Sequence, residues 1–236
     1  MTPRVILPTY EERDTIGDLL AELRAHLGPA ARVLVVDDAS PDGTAAVVRD
    51  VAARDERVEL LTRPAKLGLA SAYQTALRRV LDEGLDDCVV TMDADFSHHP
   101  RFVPPLVAAA ERHDLVVGSR YVTGGGIDNW GARRRVLSLA GNWYARAVTG
   151  TPVRDLTAGL TCMRTDFLRT VPFERIEACG YAWLIGLKTL FHQRGARIRE
   201  IPIRFVERRS GHSKLSTNIV YEGLVEPWRI RRHPAS

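Results

Sequence analysis

Asp93 and Asp95 stand one residue apart at the end of an apolar run, Val89-Val90-Thr91-Met92, that is rich in β-branched residues. Such a run suits a buried parallel strand, and groups leaving its carboxyl end face the crevice where open α/β sheets bind ligands. Two ionised carboxylates this close repel each other unless a cation sits between them. Hard oxygen ligands select magnesium, manganese or calcium over zinc, and magnesium is usually shared with substrate phosphates. The chemistry on offer is binding of a metal and a diphosphate. The plainer reading has one Asp capping the following turn and the other solvated.

Other polar groups gather at comparable positions. Thr9-Tyr10-Glu11-Glu12 follows a short strand broken by Pro8, and Asp37 and Asp38 end a second strand. Residues distant in sequence thus converge on one edge of a sheet, where a nucleotide would lie. No Gly-x-Gly-x-x-Gly opens a helix after the first strand and no Gly-x-x-x-x-Gly-Lys-Ser/Thr occurs, so recognition falls to side chains and a metal. Farther on, Arg134, Ser138 and Asn142 recur every four residues along one polar, basic stripe of a helix. Arg133-Arg134-Arg135 also reads as a solvated helix start. Arg208-Arg209-Ser210-Gly211-His212-Ser213-Lys214 forms a basic loop able to close over a diphosphate.

The elements that must position these groups alternate. Arg4 to Leu7, Arg32 to Val36, Val58 to Leu61, Val89 onward and Leu115 to Arg120 read as strands. Between them run helices marked by Ile16, Leu19, Leu20 and Leu23, with Asp14 as cap and Gly28 as stop; by Val47, Val48 and Val51, with Ser40 as N-cap and Pro41 as first helical residue; by Tyr73, Leu77 and Val80, closed by Gly84; and by Val103, Leu106 and Ala110. This alternation predicts an α/β fold with a mostly parallel sheet flanked by helices on both faces. Beyond Arg120 the pattern changes. Trp130 to Thr149 reads as a helix with Val136, Leu139, Ala140, Trp143 and Ala147 toward the core, Arg154 to Gly159 as a turn, Tyr181 to Arg194 as a buried helix, and Ile201, Ile203 and Phe205 as one strand. A last helix carries Ile219, Val220, Leu224 and Trp228, followed by Arg229, Arg231, Arg232 and His233. It suits either an anionic membrane surface or packing on its own domain.

The chain has 236 residues, of which 45% are hydrophobic, enough for one large domain with or without a C-terminal appendage. A net charge of +4 suits an anionic substrate or surface. Nucleic acid is disfavoured as a partner, because the few aromatics are not interleaved with the arginine clusters. Cys88, Cys162 and Cys179 are odd in number and lack ligand spacing, which predicts reduced thiols in a cytoplasmic protein. No apolar stretch approaches the roughly 20 residues that span a bilayer, so a soluble or peripheral protein is expected.

Several blocks in fixed order carry a family resemblance: Pro8-Thr9-Tyr10-x-Glu12, Asp37-Asp38-x-Ser40-x-Asp42-Gly43-Thr44, Lys66-x-Gly68-Leu69-x-x-Ala72-Tyr73, Asp93-Ala94-Asp95-Phe96-Ser97-His98-x-Pro100 and Gly118-Ser119-Arg120-Tyr121. They resemble the family-2 glycosyltransferases. Arg134-x-x-x-Ser138-x-x-x-Asn142, Asp155-x-Thr157-x-Gly159, Gly180-Tyr181 and Arg208-x-x-Gly211-x-Ser213-Lys214 add a resemblance to the dolichyl-phosphate or polyprenyl-phosphate mannose synthases among them. The resemblance implies a GT-A nucleotide-sugar fold, with a catalytic domain over 1–209 and a loop, helix and basic tail over 210–236. It implies that Pro8, Tyr10, Glu12, Asp38, Lys66 and Ala94 hold the donor, and that Asp93 and Asp95 bind magnesium or manganese with Ser97 at the position of a third ligand. Arg120, Arg134 and Ser138 would receive the acceptor phosphate, while Arg208, Ser213 and Lys214 would meet the diphosphate. The implied reaction moves mannose from GDP-mannose to a polyprenyl phosphate with inversion. It would run at a cytoplasmic membrane surface or with a membrane partner subunit. Alternatives are a donor such as UDP-glucose, or a non-catalytic subunit that binds a nucleotide sugar.

The chain departs from the pattern at Glu11, Ala70 and Ala158-Gly159-Leu160, and most at Trp183-Leu184-Ile185-Gly186, where relatives carry Phe-Gln-x-Glu. In relatives with hydroxyl acceptors a carboxylate from this region acts as base. Gly186 cannot, which favours an acceptor that is already anionic.

Overall fold

A computed structural model describes residues 1–178, 180–206 and 225–231. The first half is a run of βα units: β1 (Pro3–Thr9), α1 (Arg13–His26), β2 (Arg32–Asp37), α2 (Thr44–Ala52), β3 (Val58–Thr62), α3 (Leu69–Glu83), β4 (Cys88–Thr91), α4 (Val103–Ala110) and β5 (Leu115–Ser119). There follow β6 (Gly126–Ile127), α5 (Ala132–Thr149), β7 (Thr161–Arg164), α6 (Thr165–Leu168), α7 (Gly180–Gln193), β8 (Ile198–Pro202) and β9 (Arg204–Phe205), and residues 225–231 are helical. The main sheet has the order β3-β2-β1-β4-β7-β5-β8, parallel except at β7, which runs antiparallel to both neighbours. β6 and β9 pair separately.

Alternation along the strands builds two cores. Val5 and Leu7 of β1 share one core with Ile16, Leu19 and Leu23 of α1 and Leu106 of α4, while Ile6 belongs to the other, with Tyr73 and Leu77 of α3 and Trp183 of α7. Each buried side chain of this size stabilises by ~1.5–3 kcal/mol, so both faces of β1 are committed and its carboxyl end is the edge left for ligands. Arg4, fully buried, is held by Glu59, Glu83 and Asp86.

Several expectations are corrected. Asp14 lies inside the first turn of α1, not at its cap; α1 ends at His26 with Leu27 as its extended C-cap, and Gly28 follows directly. α2 starts at Thr44 behind a left-handed Gly43, because Asp42 takes the Thr44 N–H and hydroxyl; Ser40 instead accepts the N–H of Glu11. β7 was not expected: it is only four residues long and is held by its neighbours β4 and β5, not by a local pattern. Ile201 to Phe205 is two strands, because the buried Ile203 between them donates its N–H to Ser119 of β5 and accepts the N–H of Gly126 of β6, so the chain passes there from the main sheet to the β6 pair.

The largest correction concerns α5. Val136, Leu139 and Trp143, expected in the core, are 65%, 50% and 72% exposed, and Ala140 and Ala147 are exposed beside them. Asn142, Ala145 and Val148 are the buried residues. Periodicity correctly groups the residues of one face but does not say which face turns inward.

Cys88 and Cys162 are free and buried on adjoining strands. A hydrogen bond with Cys88, together with burial, pushes the Cys162 thiol well above its usual range. Cys179 lies outside the described residues.

Candidate functional site

The chain leaves β4 in a tight turn. The Ser97 N–H donates to Asp95 Oδ1 at 3.0 Å, and Phe96 between them takes a left-handed φ of 61°. Asp95 is therefore a turn cap and a buried carboxylate at once. The Asp93 N–H donates to His98 Nδ1 at 3.3 Å. Burial pushes the His98 imidazole below its ordinary range, against the pull of Asp93 and Asp95, so it is neutral at physiological pH. Gly159 closes the turn from the other side: a methyl there would lie 3.1 Å and 3.2 Å from the two Asp93 carboxylate oxygens. Thr91 ties this neighbour in place, its hydroxyl donating to the Gly159 carbonyl at 2.7 Å.

Among the described residues no three His, Cys, Asp or Glu side chains gather to hold a metal, so the fit turns on two carboxylates and a hydroxyl. Ser97 Oγ is buried without a hydrogen-bond partner among the described residues, on the turn that carries Asp95. Hard oxygens in this number suit magnesium or manganese, which take much of their shell from phosphate and water.

The residues expected around a nucleoside line the ends of β1 and β2. The Lys66 ammonium lies 3.5 Å from the centroid of the Tyr10 ring. Asp38 accepts from the backbone N–H groups of Leu67 and Gly68 and from Arg63, so it fixes the loop that carries Lys66. Thr15, which the sequence did not single out, joins this wall to the acidic turn. Its hydroxyl lies within 3.1 Å of Glu12 Oε2 and 3.3 Å of the Ala94 carbonyl. Pro8 is paired at the end of β1.

Across the sheet edge lies a cationic wall. Arg120 donates through Nε and Nη2 to the buried Asp155, at 2.8 and 2.6 Å, and through Nη2 to Thr157. Burial opposes the Arg120 charge, but Asp155 more than offsets it and holds the guanidinium above its usual range. A methyl on Gly125 would come within 2.6 Å of the Ser119 carbonyl oxygen, so only glycine lets the 122–125 turn fold this close. Arg134 stacks 3.9 Å from the Trp130 centroid, and Arg120 is 5.7 Å from the same ring. The Tyr121 hydroxyl donates to Ser138 Oγ, and Asn142 bonds Thr157 through both side-chain atoms. The Trp130 indole N–H is buried with no hydrogen-bond partner among the described residues. Arg120, from the end of β5, is thus brought beside Arg134 and Ser138 of α5 by one aromatic patch. Arg208, Ser213 and Lys214 lie outside the described residues, as does the boundary expected at 209.

The segment that departs from the family pattern is core. Trp183 is fully buried and stacks on Tyr73 at 5.5 Å, and Leu184 and Gly186 are buried beside it. A methyl on Gly186 would lie 2.9 Å from Ile176 and 3.3 Å from Ile230, so glycine here seats the helical segment 225–231.

Sequence reasoning also missed Lys188. It is fully buried on α7, and its ammonium donates to the Ala158 carbonyl at 2.8 Å, bracing the loop that carries Asp155 and Gly159. Burial lowers its pKa from 10.5 to about 7, against Asp155. Between these values the unfolded chain binds more protons, so the contribution of Lys188 to stability is complete above 10.5 and is lost as pH falls through about 7. Urea unfolding should show the parent gaining roughly 2 kcal/mol on Lys188→Met between about pH 7 and 9. A difference that stays flat would mean an ordinary lysine pKa.

Comparison with known proteins points one way. The model of the family described as glycosyl transferase family 2 matches residues 4–171. An undecaprenyl-phosphate mannosyltransferase of Micrococcus luteus is 43% identical over 224 residues, 95% of this chain and 91% of that protein. A polyprenol monophosphomannose synthase of Mycolicibacterium smegmatis is 38% identical over 96% of this chain and 86% of its own length. Among solved structures, glucosyl-3-phosphoglycerate synthase from Mycobacterium tuberculosis, in complex with Mn2+, uridine diphosphate and glucosyl-3-phosphoglycerate, superposes with a TM-score of 0.71. It covers all of this chain and 81% of that one at 20% identity, a likeness of fold alone.

Proposed function

The chain belongs to glycosyl transferase family 2, and we propose that it moves mannose from GDP-mannose to a polyprenyl phosphate, inverting the anomeric carbon with the help of magnesium or manganese. The observation that carries this reading is the acceptor wall: two guanidinium groups and the unanswered indole N–H of Trp130 meet around one ring. Such donors suit a phosphate better than a sugar hydroxyl. The likeness to relatives named for transfer to polyprenyl phosphates supports the same acceptor.

In the proposed reaction a phosphate oxygen of the acceptor bonds to the anomeric carbon as the bond from that carbon to the diphosphate breaks. The electron pair leaves with the nucleoside diphosphate. A phosphate monoester is already anionic at neutral pH, so no protein base has to take a proton. Arg120, held rigid by Asp155, and Arg134, held on Trp130, orient the nucleophile from the far side, with Ser138 beside them. Pro8, Tyr10, Glu12, Asp38, Lys66 and Ala94 form the donor wall, and Arg208, Ser213 and Lys214 are proposed to meet the diphosphate. A divalent ion on Asp93, Asp95 and Ser97 would supply positive charge for the leaving group. The setting is the cytoplasmic face of a membrane, reached directly or through a membrane partner.

The test is incubation of the purified chain with GDP-mannose or UDP-glucose, a short-chain polyprenyl phosphate and either manganese or a chelator. Transfer from GDP-mannose to the lipid phosphate, with inversion and only with metal, is expected. Transfer solely to sugars or proteins would reject the lipid acceptor, and preference for UDP-glucose would reject the donor.

A further inference from the structure

The outward face of α5 is apolar where a surface helix should be polar. Val136, Leu137, Leu139 and Trp143 are each at least half exposed, and Ala140 and Ala147 continue the stripe. The opposite side is turned into the protein, where Arg134 stacks on Trp130, Ser138 accepts from Tyr121 and Asn142 bonds Thr157. The helix is amphipathic in the reverse sense, and that leaves a contiguous apolar surface with no cover among the described residues.

The charges around this face select what covers it. α5 contains four arginines and no acidic residue, and Arg133, Arg135 and Arg146 are exposed. The helical segment 225–231 lies along the same helix. Trp228 donates its indole N–H to the Tyr144 hydroxyl and Arg231 donates to the Val148 carbonyl. It adds a second indole, 44% exposed, and two exposed arginines, Arg229 and Arg231. A second copy of the chain docked by a two-fold axis through α5 would set arginine against arginine, with no acid on the helix to answer them. An anionic lipid surface answers them directly, accepting apolar side chains below its headgroups and indoles at their level. No described helix is long and apolar enough to cross a membrane, and 18 residues of helix lying flat would cover about 27 Å of surface.

We infer that the outward face of α5, with Trp228 beside it, is the surface by which this protein docks on an anionic bilayer. The choice of a bilayer rests in part on the lipid acceptor proposed above. The face gives that acceptor a direct path, because Arg134 and Ser138 sit on the inner side of the helix whose outer side would rest in the headgroups.

The test uses the full chain and vesicles of phosphatidylcholine with or without phosphatidylglycerol, free of donor and acceptor. The parent should cosediment with the anionic vesicles. The triple variant Val136→Gln, Leu139→Gln, Trp143→Gln should lose about tenfold or more in partitioning, while its turnover of a short-chain, water-soluble polyprenyl phosphate stays within about twofold, as expected of exposed positions. Failure of the parent to bind, or equal binding by the variant, overturns the docking surface. A parent dimer in sedimentation equilibrium that the triple variant dissolves would overturn it in favour of a second copy. Because binding is read without substrates, bound protein that transfers no sugar to lipid phosphate would count against the proposed reaction and leave the docking surface standing.

Discussion

Asp95→Asn should lower turnover about a hundred- to a thousandfold, the usual loss when one preorganised electrostatic group is removed from a transition state. The fold should survive. The asparagine Oδ1 can still accept the Ser97 N–H that fixes the turn through Phe96, so the variant removes the charge and keeps the cap. Asp95→Ala removes both and separates the two readings of the Asp-x-Asp pair. A cap alone would leave Asp95→Asn close to the parent and Asp95→Ala impaired; a metal site leaves both inactive. Manganese titration with GDP present should give the same ranking, the parent binding well and both variants poorly. Parental turnover in Asp95→Asn would reject the metal assignment.

Much of the placement of these candidate residues was legible in the chain because each group follows directly on its own strand. A strand of the Val89–Met92 type ends where its apolar run ends, and the polar residues that follow it, like those after β1 and β2, must lie at one edge of a parallel sheet. What lay beyond reach depends on partners distant in sequence. β7 is defined by the two strands that flank it. Trp130 and Phe205 reach Arg120 only after two short strands pair. Lys188 reads as a polar break in an apolar helix, and its burial becomes visible only when the 155–159 loop is laid over it. α5 misled for a different reason. Its apolar stripe was found correctly, but the inward side went to Arg134, Ser138 and Asn142, whose partners Trp130, Tyr121 and Thr157 lie off the helix.

The buried pair of Arg120 and Asp155 gives the second large effect, and it can be used to separate architecture from chemistry. Asp155 is fully buried and accepts the backbone N–H of Arg120 as well as two guanidinium bonds. Removing one partner strands the other charge in the interior, at a cost of about 3–5 kcal/mol. Arg120→Met should therefore unfold at clearly lower urea concentration, its loss softened because Lys188 still lies in the field of Asp155. Asp155→Leu should lose at least as much, since it leaves Arg120 and Lys188 facing each other. Either variant should cost about a hundredfold in kcat/KM for the acceptor, the range for losing a charged contact that is made and held rigidly. The double variant decides what that loss means. With neither charge buried, most of the stability should return, as it does when apolar residues replace a buried ion pair. If Arg120 receives the acceptor phosphate, activity must stay low in that refolded double variant. If Arg120 only braces the 155–159 loop, activity should climb back with stability, and the nucleophile would then have to be held by Arg134 and the other groups around Trp130.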